Sequence, residues 1–270
     1  MDVDSSIIQE ASKKIFQAMR VIPKGESRSL YELAKESGKE FLDRRRHGGK
    51  QDLILLDSIL SIGRRYKLVV EWAEYYSKYV KTRGLEQSLE TLARLDLTDY
   101  KTYLKSIGVP NIPNQSRVEF AVRFARLFLR KYPRDLHGRN GLFRWVEDSE
   151  GWTQFLKDYN RRGDVCRSFT DFMLKEYNRP LPEGRTLIGL SVFQYLRMQC
   201  GEDTLKPDRR VIAILKKLLG VSRLDATECI EVASRISKEL GIRLIELDQM
   251  LVSEDILSCE QKFETFLRKN

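Results

Sequence analysis

Asp208 stands where a helical pattern begins, just after the compact turn Gly201 to Pro207 in the stretch LIGLSVFQYLRMQCGEDTLKPDRRVIAILKKLL, residues 187 to 219. At that place its side chain can accept hydrogen bonds from the first free backbone N–H groups of Arg209 to Ile212, and the helix dipole adds support for the ionised form. The result is a fixed carboxylate, and its simplest role is to cap the helix. Arg209 and Arg210 follow it directly. Two guanidinium groups at a helix N-terminus can hold a phosphate, or they can neutralise Asp208 in a structural ion pair.

Metal chemistry has no comparable footing. Cys166, Cys200, Cys229 and Cys259 lie about thirty residues apart, with no CxxC pair and only His47 and His137 to assist, so neither a zinc nor an iron–sulfur site can be drawn and no metal or other cofactor is expected. Reduced, buried thiols are the expected state. Basic clusters recur instead, at Arg44 to Arg46 beside His47, at Gly63, Arg64, Arg65 and Tyr66, and at Arg161 with Arg162. Each can be a solvated face or an anion contact.

The chain of 270 residues carries 48 Lys and Arg against 39 Asp and Glu, a formal net charge of +9. That balance favours a polyanionic partner, nucleic acid ahead of a membrane surface, because no apolar run nears the ~20 residues of a spanning helix. The opening MDVDSSIIQEASKK lacks the apolar core of a signal peptide. A cytoplasmic monomer is expected, nucleoid-associated if the source is bacterial. A hydrophobic content of 41% suffices for a core.

Nearly every patterned segment has the helical period, which predicts an all-α protein. Helices are expected over Asp52 to Ile62, over Lys67 to Lys81, in short pieces around Leu89 to Ala93 and Tyr100 to Ile107, and from Asn114 to Pro133. Arg134 to Gly151 reads as irregular, with Gly138 and Gly141. Helices resume at Trp152, and the tail adds Asp225 to Leu240 and Ser253 to Arg268, joined through Gly241 and the apolar stretch Leu244 to Leu251. Lys24 to Ser29 could hold a little extended structure, and nothing supports a sheet.

The order of these elements resembles the helix-hairpin-helix DNA glycosylase superfamily, the base-excision repair enzymes typified by endonuclease III. Three blocks carry the resemblance: DLILLDSILSIGRRYKLVVEWAEYY at 52 to 76, similar to a helix, a DNA-facing turn and the next helix; ETLARLDLTDYKTYLKSIGVPNIPNQSRVEFAVRFARLFLRKYP at 90 to 133, similar to a run of short helices and a long one; and residues 181 to 219, similar to the hairpin and the "[VP]-D-x-x-V" that starts the following helix. It spans roughly residues 50 to 250. The resemblance implies two helical lobes flanking a cleft, without an iron–sulfur cluster. It divides the chain into an N-terminal helical extension (1–50), a lobe with the DNA-facing turn (51–133), a connection or insertion with helices (134–184), and a last part (185–270) whose hairpin, Asp208 helix and terminal helices pack with the N-terminal segment.

The resemblance further implies that Asp208 takes the place of the catalytic aspartate, where a carboxylate stabilises the positive charge that develops on the sugar or helps to activate water. Double-stranded DNA becomes the partner, with Arg64, Arg65, Gly189, Ser191, Arg209 and Arg210 as contacts, and Gly63 and Tyr66 as candidates for the wedge or base pocket. The lysine that lets some members nick the strand would fall at Leu190 or Ser191 and is missing, which points to a monofunctional hydrolytic glycosylase. Lys206 could substitute, or could be an exposed loop lysine near phosphate. The usual "L-P-G-[VI]-G" of the hairpin is reduced here to Leu181, Pro182, Glu183, Gly184 and later Gly189, and the hairpin glycines let backbone N–H groups approach phosphate. That loss favours the alternative of a DNA-binding protein without catalysis. Gln194, Gln199 and Asn178 could read a base edge, and Trp72, Trp145 and Trp152 could line a pocket or belong to the core.

Overall fold

The structure is a computed structural model that describes residues 3–43, 46–61, 66–109, 115–138, 140–148 and 190–253. Those residues form helices and turns, with no strand among them. In chain order the helices are α1 (Ser5–Met19), α2 (Leu30–Leu42), α3 (Gln51–Leu60), α4 (Tyr66–Thr82), α5 (Leu89–Ala93), α6 (Leu97–Ser106), α7 (Gln115–Lys131), α8 (Gly141–Asp148), α9 (Leu190–Gln199), α10 (Arg209–Leu219), α11 (Ala226–Leu240) and α12 (Leu244–Val252). Among the described residues no helix is long and apolar enough to cross a membrane. The chain divides into two compact units, Arg44–Val192 and the pair of segments Met1–Asp43 and Phe193–Asn270.

In the unit Arg44–Val192, α3 is the centre. Every residue from Asp52 to Leu60 is buried, as a helix that is apolar nearly all round must be. Its neighbours are α4, α5, α7 and α8, and α7 presents Val118, Ala121, Val122, Phe124, Ala125 and Phe128 to the core. Phe128 and Trp145 of α8 meet at 5.5 Å between ring centroids. Trp72 and Trp145 are therefore core residues. A three-residue left-handed run precedes α3: His47, Gly48 and Gly49 have φ of 59°, 60° and 70°. The strain at His47 is held by its Nε2, 2.7 Å from Oδ2 of the buried Asp57.

In the other unit, α1 packs on α10 and α11 while α2 packs on α12. Local signals start and stop these helices. Ser29 with Glu32 opens α2 and Asp225 with Glu228 opens α11, each as a reciprocal capping box. Gly220 and Gly241 close α10 and α11 in the left-handed conformation. The N-terminal segment is tied down as well, since Arg235 of α11 donates to the Val3 carbonyl at 2.7 Å. Phe41, Tyr195, Met198 and Ile245 form a small core cluster.

Two segments differ from what the sequence predicts. Leu244–Val252 is a helix, α12, rather than a connecting stretch, and its residues from Leu244 to Asp248 are all buried. Burial on every side leaves no polar stripe, so the helical period does not show. Likewise Gly141–Asp148 folds as α8 within the segment read as irregular. Gly141, at φ 56°, is a left-handed position at which glycine is at ease. Residues 24–29 contain no strand. The expected helices after Trp152 and over Ser253 to Arg268 lie outside the described residues, apart from Ser253, which is the C-cap of α12.

Candidate active site

The site is built on the N-terminus of α10. Its buried face, Val211, Ile214, Leu215, Leu218 and Leu219, repeats at helical spacing and fixes the helix in its unit. Asp208 is the N-cap, with φ −87° and ψ 176°. Its Oδ1 accepts from the Arg210 N–H at 2.9 Å and the Val211 N–H at 3.1 Å, while its carbonyl accepts from Ile212 at 2.9 Å. One carboxylate oxygen thus caps the helix. The second has no hydrogen-bond partner among the described residues, and the side chain is only half-buried.

Arg209 and Arg210 are exposed. Neither forms an ion pair with Asp208 or with any other described acid, so the structural ion pair that the sequence left open is not formed. What remains is a carboxylate and two unengaged guanidinium groups at one helix mouth, an arrangement that can hold an anion beside a developing cation.

The preceding turn is fixed at both ends. The Asp208 N–H donates to the Lys206 carbonyl at 2.7 Å, and the Lys206 N–H donates to Oδ1 of Asp248 on α12 at 2.8 Å. Pro207 between them is buried. The Lys206 ammonium lies 3.9 Å from the centroid of the Tyr195 ring, a cation–π contact that holds the side chain over that ring.

Asp248 has side-chain burial to match its place in the core, at 2% exposure. Burial pushes its carboxyl up to about 7, the nearby Asp208 adding to the rise and the Lys206 N–H and ammonium opposing it. The Cys229 thiol of α11 is also raised, first by burial and then by Asp248, Asp208 and Asp225. Sequence reasoning missed Asp248, because nothing local marks it.

The remaining candidates are distributed as follows. Ser191 is half-buried in the first turn of α9, and Tyr66 is the first residue of α4. Gly63, Arg64, Arg65 and Gly189 lie outside the described residues, as do Asn178, Arg161, Arg162 and Trp152. Gln194 and Gln199 are fully buried. Gln194 accepts from Thr204 Oγ1 at 2.8 Å, which makes it a core polar residue instead of an exposed reader of bases. Among the described residues no cluster of His, Cys, Asp or Glu could hold a metal ion. Cys200 and Cys229 are buried.

No known protein family and no curated protein sequence matches the chain. Among solved structures, it is similar to a Methanocaldococcus jannaschii 8-oxoguanine glycosylase/lyase determined in complex with a 15-mer DNA containing 8-oxoguanine, at 17% identity and a TM-score of 0.51, over 89% of this chain and 94% of that one. The all-helical architecture and that likeness agree: the chain has the fold on which the M. jannaschii enzyme is built.

Proposed function

We propose that the chain is a monofunctional DNA glycosylase that hydrolyses the N-glycosidic bond of a damaged or mispaired base in double-stranded DNA, acting as a monomer. The observation that carries this reading is the mouth of α10: a half-buried carboxylate with one oxygen engaged in capping and the other bonded to no described residue, beside two exposed arginines that pair with no described acid, on a fold shared with a glycosylase/lyase.

Extruding a base costs a few kcal/mol of unstacking, which backbone contacts must offset. Arg209 and Arg210 are assigned to phosphates near the scissile nucleotide, Ser191 and Gly189 to the backbone, and Arg64, Arg65, Gly63 and Tyr66 to the turn that enters the stack. Breaking the C1′–N bond sends its electron pair to the departing base, which takes up a proton, and leaves positive charge on the sugar. The free oxygen of Asp208 stabilises that charge, and a water that adds to C1′ loses its proton to the carboxylate or to solvent. Two features favour hydrolysis without strand nicking. Leu190 and Ser191 stand where the resemblance puts a nucleophilic lysine, and the Lys206 ammonium is held over Tyr195.

The test is incubation with duplexes carrying uracil, hypoxanthine, alkylated purines, 8-oxoguanine, or adenine opposite 8-oxoguanine, followed by alkali. Abasic sites should appear with at least one lesion, only after alkali, and should be lost with Asp208→Asn. Strand nicking without alkali, with borohydride trapping of the enzyme on DNA, would overturn the monofunctional assignment. Tight DNA binding with no base released from any duplex would establish the alternative, a DNA-binding protein without catalysis.

A further inference from the structure

A buried carboxylate in the middle of a helix needs a reason, because desolvating it costs free energy that no ion pair among the described residues returns. Asp248 is such a group. Its Oδ1 accepts the Lys206 N–H at 2.8 Å and its Oδ2 accepts Gln249 Nε2 at 3.0 Å. Gln249 is in turn held by Ser37 of α2, whose hydroxyl donates to Gln249 Oε1 at 2.7 Å. From Lys206 the chain of contacts runs on through its carbonyl to the Asp208 N–H at 2.7 Å. The acid on α12 therefore fixes the backbone from which Asp208 projects.

We propose that Asp248 is a positioning residue for Asp208: its hydrogen bond to the Lys206 N–H fixes the Lys206–Pro207–Asp208 turn, and its charge state sets the negative potential at the mouth of α10. The inference rests on the reading of Asp208 as the acting carboxylate. The groups that bear on Asp248 are few. The loop before α10 supplies Lys206 and Asp208, and α11 supplies Cys229. On the side of α2, Ser37 reaches Gln249, and Tyr31 faces Glu246 of α12 itself; Asp203 is occupied by the Ile245 N–H at 3.0 Å. Lys206 is the one cation of this set that acts on Asp248, and it stands over Tyr195. Ionisation of Asp248 near neutrality then places a second negative charge beside Asp208, and the two together stabilise the sugar cation.

The experiment uses the full-length protein, Asp248→Asn, which keeps an acceptor for the Lys206 N–H and removes the charge, and Asp248→Ala, which removes both. The first readout needs no catalysis: the Asp208 carboxyl carbon is followed by NMR against pH, with hydrogen exchange at the Arg210 and Val211 amides. The wild-type Asp208 signal should show a second inflection near neutrality that is absent in Asp248→Asn. In Asp248→Ala the two amides should exchange about tenfold faster. The second readout is single-turnover base release from a lesion duplex that the wild type cleaves. Its rate constant should rise through neutrality in the wild type and be flat in Asp248→Asn, and it should fall about tenfold in Asp248→Ala with DNA affinity changed less than about twofold.

Should Asp248→Ala fail to fold, the wild type and Asp248→Asn decide the matter through the Asp208 titration. An Asp208 titration identical in wild type and Asp248→Asn overturns the inference. Absence of base release by the wild type sinks the glycosylase reading instead, and the NMR readout still decides what Asp248 does to Asp208.

Discussion

Among the described residues each compact unit buries a carboxylate that makes no ion pair, Asp52 in one and Asp248 in the other, and these two are held in opposite ways. Asp52 lies in the first turn of α3, where Oδ1 accepts the Leu53 N–H at 2.9 Å and the free N–H groups of the helix end favour its charge. Its Oδ2 has no hydrogen-bond partner among the described residues. The Tyr76 hydroxyl faces it without reaching hydrogen-bond geometry, and burial pushes both groups above their ordinary ranges. Asp248 instead sits mid-helix and grips a turn that ends in Asp208. Asp52 is tied to its own helix and reaches no loop. The lesson is that burial and a raised pKa do not mark a functional acid; what it holds does.

If the acids of the two units were interchangeable in activity, no distinction between them would stand. Asp208→Asn should lower base release on the order of 10²-fold, about 3 kcal/mol of transition-state stabilisation. The melting temperature should hardly move, because Asn caps a helix nearly as well as Asp. Asp52→Asn should leave base release within about twofold of wild type. Single-turnover assays beside thermal melts separate the cases, and a loss of activity in Asp52→Asn equal to that in Asp208→Asn would end the distinction.

The pH dependence of stability sharpens it. Asp248 has a folded-state pKa of about 7 against an ordinary value of 3.8, so between those values the folded chain keeps a proton that the unfolded chain has lost. Stability from this group is therefore full below pH 3.8 and declines as pH rises to about 7. Asp248→Asn abolishes the decline. Its stability relative to wild type should grow across that window, by on the order of 2–4 kcal/mol at the top. Asp52 is shifted in the same direction by burial, and Asp52→Asn should show the same sign. Urea unfolding at pH 4.5, 6 and 8 measures both, and a gap that narrows with rising pH would contradict the assignment.

Backbone crowding gives a smaller contrast. Gly141 and Gly220 both have left-handed φ, 56° and 68°, but a Cβ on Gly141 would overlap Cδ2 of the buried Leu89, whereas one on Gly220 meets nothing within 4 Å. Gly141→Ala should cost about 2–3 kcal/mol, from strain plus overpacking, and Gly220→Ala about 1 kcal/mol. Denaturant midpoints at constant m-value provide the check.

What the sequence discloses divides along the same line. Asp208 is legible because a cap is local: an acid, a helical period after it and a turn before it predict the two N–H contacts that the structure contains. The all-helical class and the start of α11 at Asp225 are legible for the same reason. α12 is hidden because its burial removes the polar face, and α8 because Gly138 and Gly141 read as breakers. Asp248 is hidden more deeply. Its partner Lys206 is 42 residues away in sequence, and no spacing rule joins a mid-helix acid to a distant turn. The basic cluster Arg44 to Arg46 beside His47, open to reading as a solvated face or an anion contact, gives no sign of the anchoring of His47 on Asp57.

The smallest expected effect concerns the two arginines after Asp208, which α10 leaves exposed. If each neutralises one phosphate, Arg209→Ala and Arg210→Ala should each weaken binding to a duplex by about 1 kcal/mol, nearly independently of base sequence. Each should also make the plot of log K against log salt shallower by about 0.9, and the double variant by about twice that. Fluorescence anisotropy across a salt series measures the slope, with Arg83→Ala as a control because that residue is already paired with Asp99. A slope unchanged in the double variant would show that the guanidinium groups at the mouth of α10 face water. Asp208 would then be left as a cap with no DNA beside it.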